Sequence, residues 1–239
     1  MSPSGQPVLA ESSGLSNGCY DQRCWVIPAG RQFLIKSVKA IIFDIDGTLI
    51  QSMSVDTELY FSSISDILGP VSVRENLDDY DHVTDSGILA QLISDSGLSV
   101  DRKTAASVQA AFIEGIRRHI ETVGPFPAID GAVQFIEDAR KSDAVRIAIA
   151  TGGWRESALL KLESAGFDIS NIPLATSDDS PSRVEIMRAA LARIGDDLQS
   201  VTYFGDAPWD QRACRSLGWN FVAVGAALGG IESYSEIDL

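Results

Sequence analysis

The chain has 239 residues, of which 45% are hydrophobic, enough for one domain with an insertion or for two small domains. It carries 19 Lys and Arg against 33 Asp and Glu, a formal net charge of −14. So acidic a chain repels nucleic acid and anionic lipid, and a phosphate ester would have to be drawn in by a local cation. No run of about 18 uncharged apolar residues occurs, so we expect no membrane-spanning helix.

The first part of the chain shows no sequence pattern typical of a helix or a strand. Residues 1–36 are rich in Ser, Gly, Pro and Gln without sustained periodicity, which predicts a flexible N-terminal extension. The cysteines, Cys19, Cys24 and Cys214, are odd in number, and no secretory leader is apparent. These features favour reduced thiols and a cytoplasmic location.

From residue 38 onward, short apolar segments alternate with segments of helical spacing. Predicted strands cover 38–43, 145–150, 201–204 and 221–224, all rich in β-branched or aromatic residues. Strands joined by helices predict an α/β fold, a doubly wound, Rossmann-like parallel sheet. In such sheets the functional residues gather at the carboxyl ends of the strands.

One long segment interrupts this alternation. Between residues 51 and 129, apolar residues recur at helical spacing in three groups. We therefore expect a small all-helical cap domain over 51–129, inserted into a core domain formed by 37–50 and 130–239. A cap in this position would cover the loop after the first strand, exclude water and select the substrate.

That loop carries two acidic residues. The apolar run 40–43 ends in Asp44-Ile45-Asp46-Gly47-Thr48. Residues two apart share a face, and two carboxylates so close repel each other unless a cation or a proton lies between them. The pattern indicates a divalent metal site with one carboxylate free to attack an electrophile or to transfer a proton.

Three further signals lie where this architecture predicts them. Thr151 and Gly152 follow the second strand, Asp206 and Asp210 follow the third, and Arg183 lies near the start of a predicted helix. We expect Ser180 as the N-cap of that helix and Pro181 as its first residue. Singly, each is more often a turn, loop or surface residue. Together they supply carboxylates for a hard cation, donors for an anion and a positive charge, which indicates phosphoryl transfer.

At these residues the chain resembles the haloacid dehalogenase superfamily, in the phosphatase branch with a helical cap after the first motif (phosphoglycolate phosphatase-like). Residues 44–48 match the first motif, Thr151 the second, and residues 205–210 the fourth. The third motif usually has Lys, whereas this chain offers Arg183, since Lys161 falls too early on the helix after Thr151. Arginine keeps the charge but differs in bulk and geometry.

The resemblance implies an Mg²⁺-dependent phosphatase that hydrolyses a small phosphomonoester, of the phosphoglycolate or sugar-phosphate type, through an aspartyl-phosphate. Asp44 would be the nucleophile and Asp46 the acid and base. The other implied roles are metal binding by the Asp44 carboxylate, the Asp46 carbonyl, Asp206 and Asp210, and phosphate binding by Thr151, Gly152 and Arg183.

Substrate choice is expected to lie in the cap. His82 and Thr84 are candidates for contacting a small phosphorylated metabolite, the alternatives being a surface imidazole and a helix cap. Nucleic acid and membrane are not expected as partners, and the protein is expected to be a monomer or a homodimer. A phosphosugar mutase of the β-phosphoglucomutase type uses the same paired aspartates, and a non-catalytic binding or regulatory protein with this fold is a further alternative.

Overall fold

The computed structural model describes residues 38–237 and 239, which belong to one compact unit, Lys36–Leu239. The strands are β1 (Lys39–Phe43), β2 (Val145–Ala150), β3 (Leu174–Ala175), β4 (Ser200–Gly205) and β5 (Asn220–Ala223). The helices are α1 (Met53–Leu68), α2 (Asp85–Asp95), α3 (Arg102–Thr122), α4 (Ala132–Lys141), α5 (Arg155–Ser164), α6 (Arg183–Ala192) and α7 (Pro208–Leu217), with short 3₁₀ helices at Leu77–Asp79, Ala226–Leu228 and Tyr234–Glu236. Over this part of the chain, no helix is both long and apolar enough to cross a bilayer.

The strands form one parallel sheet in the order β3-β2-β1-β4-β5. The chain runs outward from β1 through β2 to β3 and then crosses to the other side of β1 to form β4 and β5. Phe43 at the end of β1 is in register with Ile149 of β2 and Phe204 of β4. The residues after these three strands therefore meet at one edge, where the order of the strands reverses, the usual ligand position in such sheets.

Helices cover both faces of the sheet. Phe43 packs on one face with Phe135 of α4, Phe204 and Tyr234, whereas Ile42 points to the opposite face. That opposite face is covered by α6 and α7 through Met187 and Cys214 among others. The predicted doubly wound α/β fold is confirmed.

The segment between β1 and α4 is helical, as predicted, and contains α1, α2 and α3. Its apolar residues, including Tyr60, Leu92 and Phe112, belong to the same buried cluster as Phe43. The two chain connections to this insertion pair with each other, because Gln51 N donates to Pro127 O and Ile129 N donates to Leu49 O, both at 2.8 Å. The insertion is thus held at its base by main-chain hydrogen bonds.

Two local expectations need correction. Strand β3, only two residues long, was not predicted, because so short a segment shows no periodicity. Helix α6 begins at Arg183 after the N-cap Ser182, so Ser180 is not the N-cap and Pro181 is not the first helical residue. Instead, Ser180 Oγ accepts from Ser182 N at 3.1 Å, which forms a local turn before the helix.

Two predictions lie outside the described residues. They are the flexible extension over residues 1–36 and the reduced state of Cys19 and Cys24. The third cysteine, Cys214, is a buried free thiol in α7.

Candidate active site

The site begins with the residues that follow three neighbouring strands. Asp44 follows β1, Thr151 follows β2 and Asp206 follows β4. Asp44 N donates to Phe204 O at 2.9 Å, and Thr151 N donates to Ala175 O at 3.1 Å, so the main chain of the sheet fixes both residues. All three side chains line one cavity of about 80 Å³.

Arg183 brings a positive charge to Asp44. Its Nη1 donates to Asp44 Oδ1 at 3.1 Å and lies 3.0 Å from Oδ1 of Asp210. All three side chains are largely or completely buried. Burial opposes the charge of Arg183, but the carboxylates of Asp210 and Asp44 raise its pKa above the ordinary value. The arginine at the start of α6 therefore lies directly beside Asp44, and its role as the third motif stays a prediction.

Asp44, Asp206 and Asp210 have the chemistry and the spacing of a cation site. One carboxylate oxygen from each lies within 4.8 Å of the others. Burial raises the pKa of Asp44 to about 7, of Asp206 to about 7 and of Asp210 to about 6. Both oxygens of Asp210 are buried and, apart from the ion pair of Oδ1 with Arg183, have no hydrogen-bond partner among the described residues. Carboxylate oxygens are the ligands that Mg²⁺ prefers, so these residues fit a divalent cation.

Two glycines let this cluster assemble. Gly47 has φ +80°, and a Cβ there would lie 2.1 Å from Oδ2 of Asp206. At Gly152 a Cβ would lie 2.5 Å from Nη2 of Arg183. Any side chain at either position would displace a charged residue of the site.

Asp46 faces the cavity but has different partners from Asp44. Its Oδ1 accepts from Lys161 Nζ at 2.6 Å and from the hydroxyl of Ser52. Lys161 also forms a buried ion pair with Asp56 of α1. Burial alone would lower the pKa of Lys161, but the charges of Asp46 and Asp56 raise it. The two aspartates of the first motif are therefore each paired with a separate cation.

Thr151 and Gly152 present polar groups to the cavity. The Thr151 hydroxyl accepts from Gly153 N at 3.1 Å and keeps its own proton available for a ligand. Gly152 O accepts from Asp85 N at 2.8 Å, so this loop also contacts the insertion.

The start of α2 forms the part of the cavity wall that the insertion contributes. Thr84 is the N-cap of α2, and its hydroxyl donates to Pro181 O at 2.8 Å. Asp85 Oδ2 accepts from Trp154 N at 2.8 Å, and Val83 O accepts from Arg183 Nη2 at 3.2 Å. The insertion is therefore bound directly to the loops after β2 and before α6.

The structure brings most of the predicted site residues together. Thr84 lines the cavity, whereas His82 is exposed and is not part of the lining, so the geometry gives His82 no contact with a bound molecule. The Asp46 side chain is not part of the cation cluster, and metal binding by its main-chain carbonyl stays a prediction. Within the described chain, the predicted residues at this edge are Asp44, Asp46, Thr84, Thr151, Gly152, Arg183, Asp206 and Asp210.

Sequence reasoning set Lys161 aside as falling too early for the third motif and gave no role in the site to Asp56 or Asp85. Lys161 lies on the buried face of α5 between Ala158 and Leu162, and a lysine at a core position of a helix was the available signal. Asp56 and Asp85 lie in the first turns of α1 and α2, where an acidic residue is ordinary, so nothing distinguished them.

A family model described as haloacid dehalogenase-like hydrolase matches residues 38–218, and the chain belongs to this family. This confirms the family predicted from the motifs and a hydrolase as the enzyme class. A search of curated proteins found no significant match.

Three solved structures illustrate the similarity of the fold. A hydrolase from Pseudomonas syringae superposes with a TM-score of 0.63 and 24% identity, covering 81% of this chain and 87% of its own. CbbY from Rhodobacter sphaeroides, in complex with phosphate, has a TM-score of 0.61 and 16% identity, covering 84% and 90%. The β-phosphoglucomutase of Clostridium difficile has a TM-score of 0.60 and 15% identity, covering 79% and 85%. At these identities the likeness concerns the fold.

Proposed function

We propose that the protein is a Mg²⁺-dependent phosphatase that hydrolyses a small phosphomonoester through a phosphorylated Asp44. The observation that carries this proposal is the arrangement around Asp44. Its carboxylate contacts Arg183, clusters with two further carboxylates and lines the same cavity as Asp46. A small cavity of about 80 Å³ suits a small ester.

The chain's own residues divide the chemistry into two steps. Asp44 attacks phosphorus while the bond from phosphorus to the alkyl oxygen breaks, and Asp46 gives its proton to the departing alkoxide. Asp46 then takes a proton from water, whose oxygen attacks phosphorus and releases Asp44 and phosphate. Asp46 lines the same cavity as Asp44 but is not part of the cation cluster, which supports these separate roles.

Binding groups surround the phosphoryl position. Thr151, the amides near Gly152 and Arg183 would hold the phosphoryl oxygens. Asp44, Asp206, Asp210 and the Asp46 carbonyl would hold Mg²⁺, which, when bound, neutralises negative charge on the nucleophile and on the transferred group. The side chain proposed for the third motif position is arginine, whose Nη1 lies between Asp44 and Asp210 while its Nη2 donates to Val83 O.

The test is phosphate release from a panel of esters with Mg²⁺, compared with the variant Asp44→Asn. We expect turnover that is abolished by the substitution and by chelation of the metal. Asp66→Asn, an exposed aspartate of α1, is the matched control and should retain full activity. No release from any ester by folded protein that still binds Mg²⁺ would favour a non-catalytic binding protein.

A mutase is the second candidate, because a β-phosphoglucomutase shares the fold and paired aspartates serve both reactions. A mutase would need catalytic amounts of a bisphosphate and release little free phosphate, so the same assay separates the two. A cytoplasmic location, a small phosphorylated metabolite as partner and a monomer or homodimer stay predictions.

A further inference from the structure

The two carboxyl oxygens of Asp46, the acid and base of the proposed function on which this inference rests, have different surroundings. In the described part of the chain, both hydrogen bonds to this carboxyl group go to Oδ1, one from Lys161 Nζ at 2.6 Å and one from the Ser52 hydroxyl. Oδ2 lies 3.8 Å from the point that a Cβ on Gly153 would occupy, and Oγ1 of Thr151 lies 3.6 Å from the same point. Oδ2 is therefore beside the loop after β2, which lines the cavity.

Lys161 does not line the cavity itself. Its side chain is 1% exposed and belongs to the buried face of α5. A buried ammonium group loses its hydration, and here two carboxylates replace the water, because Nζ donates to Oδ1 of Asp46 and to Oδ1 of Asp56. The charges of these two aspartates raise the pKa of Lys161 above its ordinary value in spite of burial. Lys161 is thus a positive charge that reaches the site through Asp46.

Asp56 fixes the position of the lysine from the side of the insertion. It lies in the first turn of α1, whereas Asp46 lies in the loop after β1. Two charged contacts restrict a long, flexible side chain more than one contact would, so the position of Nζ is well defined. Oδ1 of Asp46 is consequently anchored to a group that is itself held in place.

The nucleophile has separate support. Nη1 of Arg183 donates to Asp44 Oδ1 at 3.1 Å, whereas the hydrogen bonds of Lys161 Nζ within the described chain go to Asp46 and Asp56. Loss of Lys161 should therefore disturb the orientation of Asp46 and leave the attack by Asp44 largely unchanged.

We propose that Lys161 is a positioning residue for proton transfer, which anchors Oδ1 of Asp46 so that Oδ2 faces the departing oxygen of the ester. As the bond from phosphorus to that oxygen breaks, the proton on Oδ2 moves to it, and the Asp46 carboxylate that remains is neutralised by Lys161. A carboxyl group without this anchor would present Oδ2 to the ester for only part of the time, and proton donation would slow accordingly. This role concerns only esters whose leaving group needs a proton.

The experiment compares two small substrates of similar size, ethyl phosphate and acetyl phosphate, in single turnovers with Mg²⁺ and excess enzyme. Ethoxide must be protonated as it leaves, whereas acetate leaves as a stable anion. Following the release of ethanol or acetate separates the first step from the later attack by water, in which Asp46 is the base for both substrates. For Lys161→Met we expect the rate of ethanol release to fall about tenfold or more, and the rate of acetate release to change less than about threefold.

Two variants calibrate this result. Asp46→Asn should show the same pattern with a larger fall for ethyl phosphate. Lys141→Met is the matched control, because the Lys141 side chain is 69% exposed, and it should change neither rate.

The outcomes separate the inference from the proposed function. An equal fall for both substrates in Lys161→Met would mean a general structural role. That result, the absence of any fall, or wild-type turnover of acetyl phosphate alone would overturn the inference and leave an enzyme that cleaves phosphate from its substrates. No turnover of either substrate by the wild-type protein would refute the proposed function as well.

A second substitution keeps the test decisive if circular dichroism shows that Lys161→Met does not fold. Lys161→Gln keeps a polar group that can donate a hydrogen bond to Asp46 but removes the charge. A selective fall for ethyl phosphate of about threefold or more is then expected, and its absence would overturn the inference.

Discussion

Lys161→Met would remove the cation that lies between Asp46 and Asp56 and leave a side chain of similar length. The Lys161 side chain is 1% exposed, whereas those of Asp46 and Asp56 are 14% and 18% exposed. After the substitution, two nearly buried carboxylates would share one region without a counter-charge. Ser52 would be the remaining hydrogen-bond donor to Asp46 among the described residues.

The expected cost follows from this burial. Removing one partner of a buried ion pair costs about 3–5 kcal/mol, because the other partner stays buried and unpaired. Since both carboxylates keep some exposure, we expect a loss near the lower end, about 3 kcal/mol. For a folded unit of this size, that loss corresponds to a fall in Tm of roughly 6–12 °C.

Urea unfolding at pH 7.5 measures this loss of free energy. Lys141→Met is the control, because the Lys141 side chain is 69% exposed and its ion pairs with Glu137 and Asp138 are surface pairs. We expect a change in the control within about 0.5 kcal/mol. A loss below about 1 kcal/mol for Lys161→Met would refute the reasoning that the buried pair supports this side of the site.

The pH dependence gives a second check. Burial raises the pKa of Asp56 to about 6 from 3.8, and the charge of Lys161 limits that rise. A raised carboxyl pKa means that the folded state holds the proton more tightly, so this group's contribution to stability is present at low pH and is lost as pH rises through 6. Without Lys161 the pKa rises further. The penalty of Lys161→Met should therefore shrink between pH 7.5 and pH 5, and a penalty independent of pH would contradict this account.

Three further predictions concern the cation cluster and its neighbour. Arg183→Ala should lower kcat/KM by about 10²–10³-fold, with partial recovery in Arg183→Lys, and unchanged steady-state kinetics would show that another cation serves Asp44. Gly47→Ala should weaken Mg²⁺ binding at least tenfold in calorimetry, because the new methyl group would meet Asp206, whereas Gly166→Ala, also at positive φ but facing open space, should leave Mg²⁺ affinity unchanged. Burial raises the pKa of Asp44 and of Asp206 to about 7, so protons compete with the metal for these carboxylates. The affinity for Mg²⁺ should therefore fall from pH 8 to pH 6. Constant affinity over that range would contradict the assignment of these ligands.

The sheet and the strand-end residues were predictable because both follow from local pattern. Apolar β-branched runs specify the strands, and parallel strands necessarily bring Asp44, Thr151 and Asp206 to one edge. The position of Arg183 near the site was predictable from its place at the start of a helix. Its contact with Val83 was not, since that contact depends on how the insertion packs against the core.

The missed residues depend on contacts between distant segments. Lys161 reaches Asp46 across 115 positions of sequence and Asp56 across 105. No local rule pairs a lysine of α5 with an acid of α1, because the pairing exists only after the insertion has folded onto the sheet. The predicted start of α6 was wrong for a similar reason. The carbonyl of Pro181 accepts a hydrogen bond from Thr84 of the insertion, a contact that no local pattern indicates.

The guanidinium group of Arg183 donates to Asp44, the proposed nucleophile, with one nitrogen and to the main chain of the insertion with the other. Lifting the insertion to admit a molecule must therefore break a bond made by the residue that neutralises Asp44. Access to the site and readiness for chemistry are coupled through this single side chain. In the proposed phosphatase, an ester too large for the insertion to settle back would deprive Arg183 of one of the two contacts that orient it beside Asp44, so ester size would affect reactivity as well as binding.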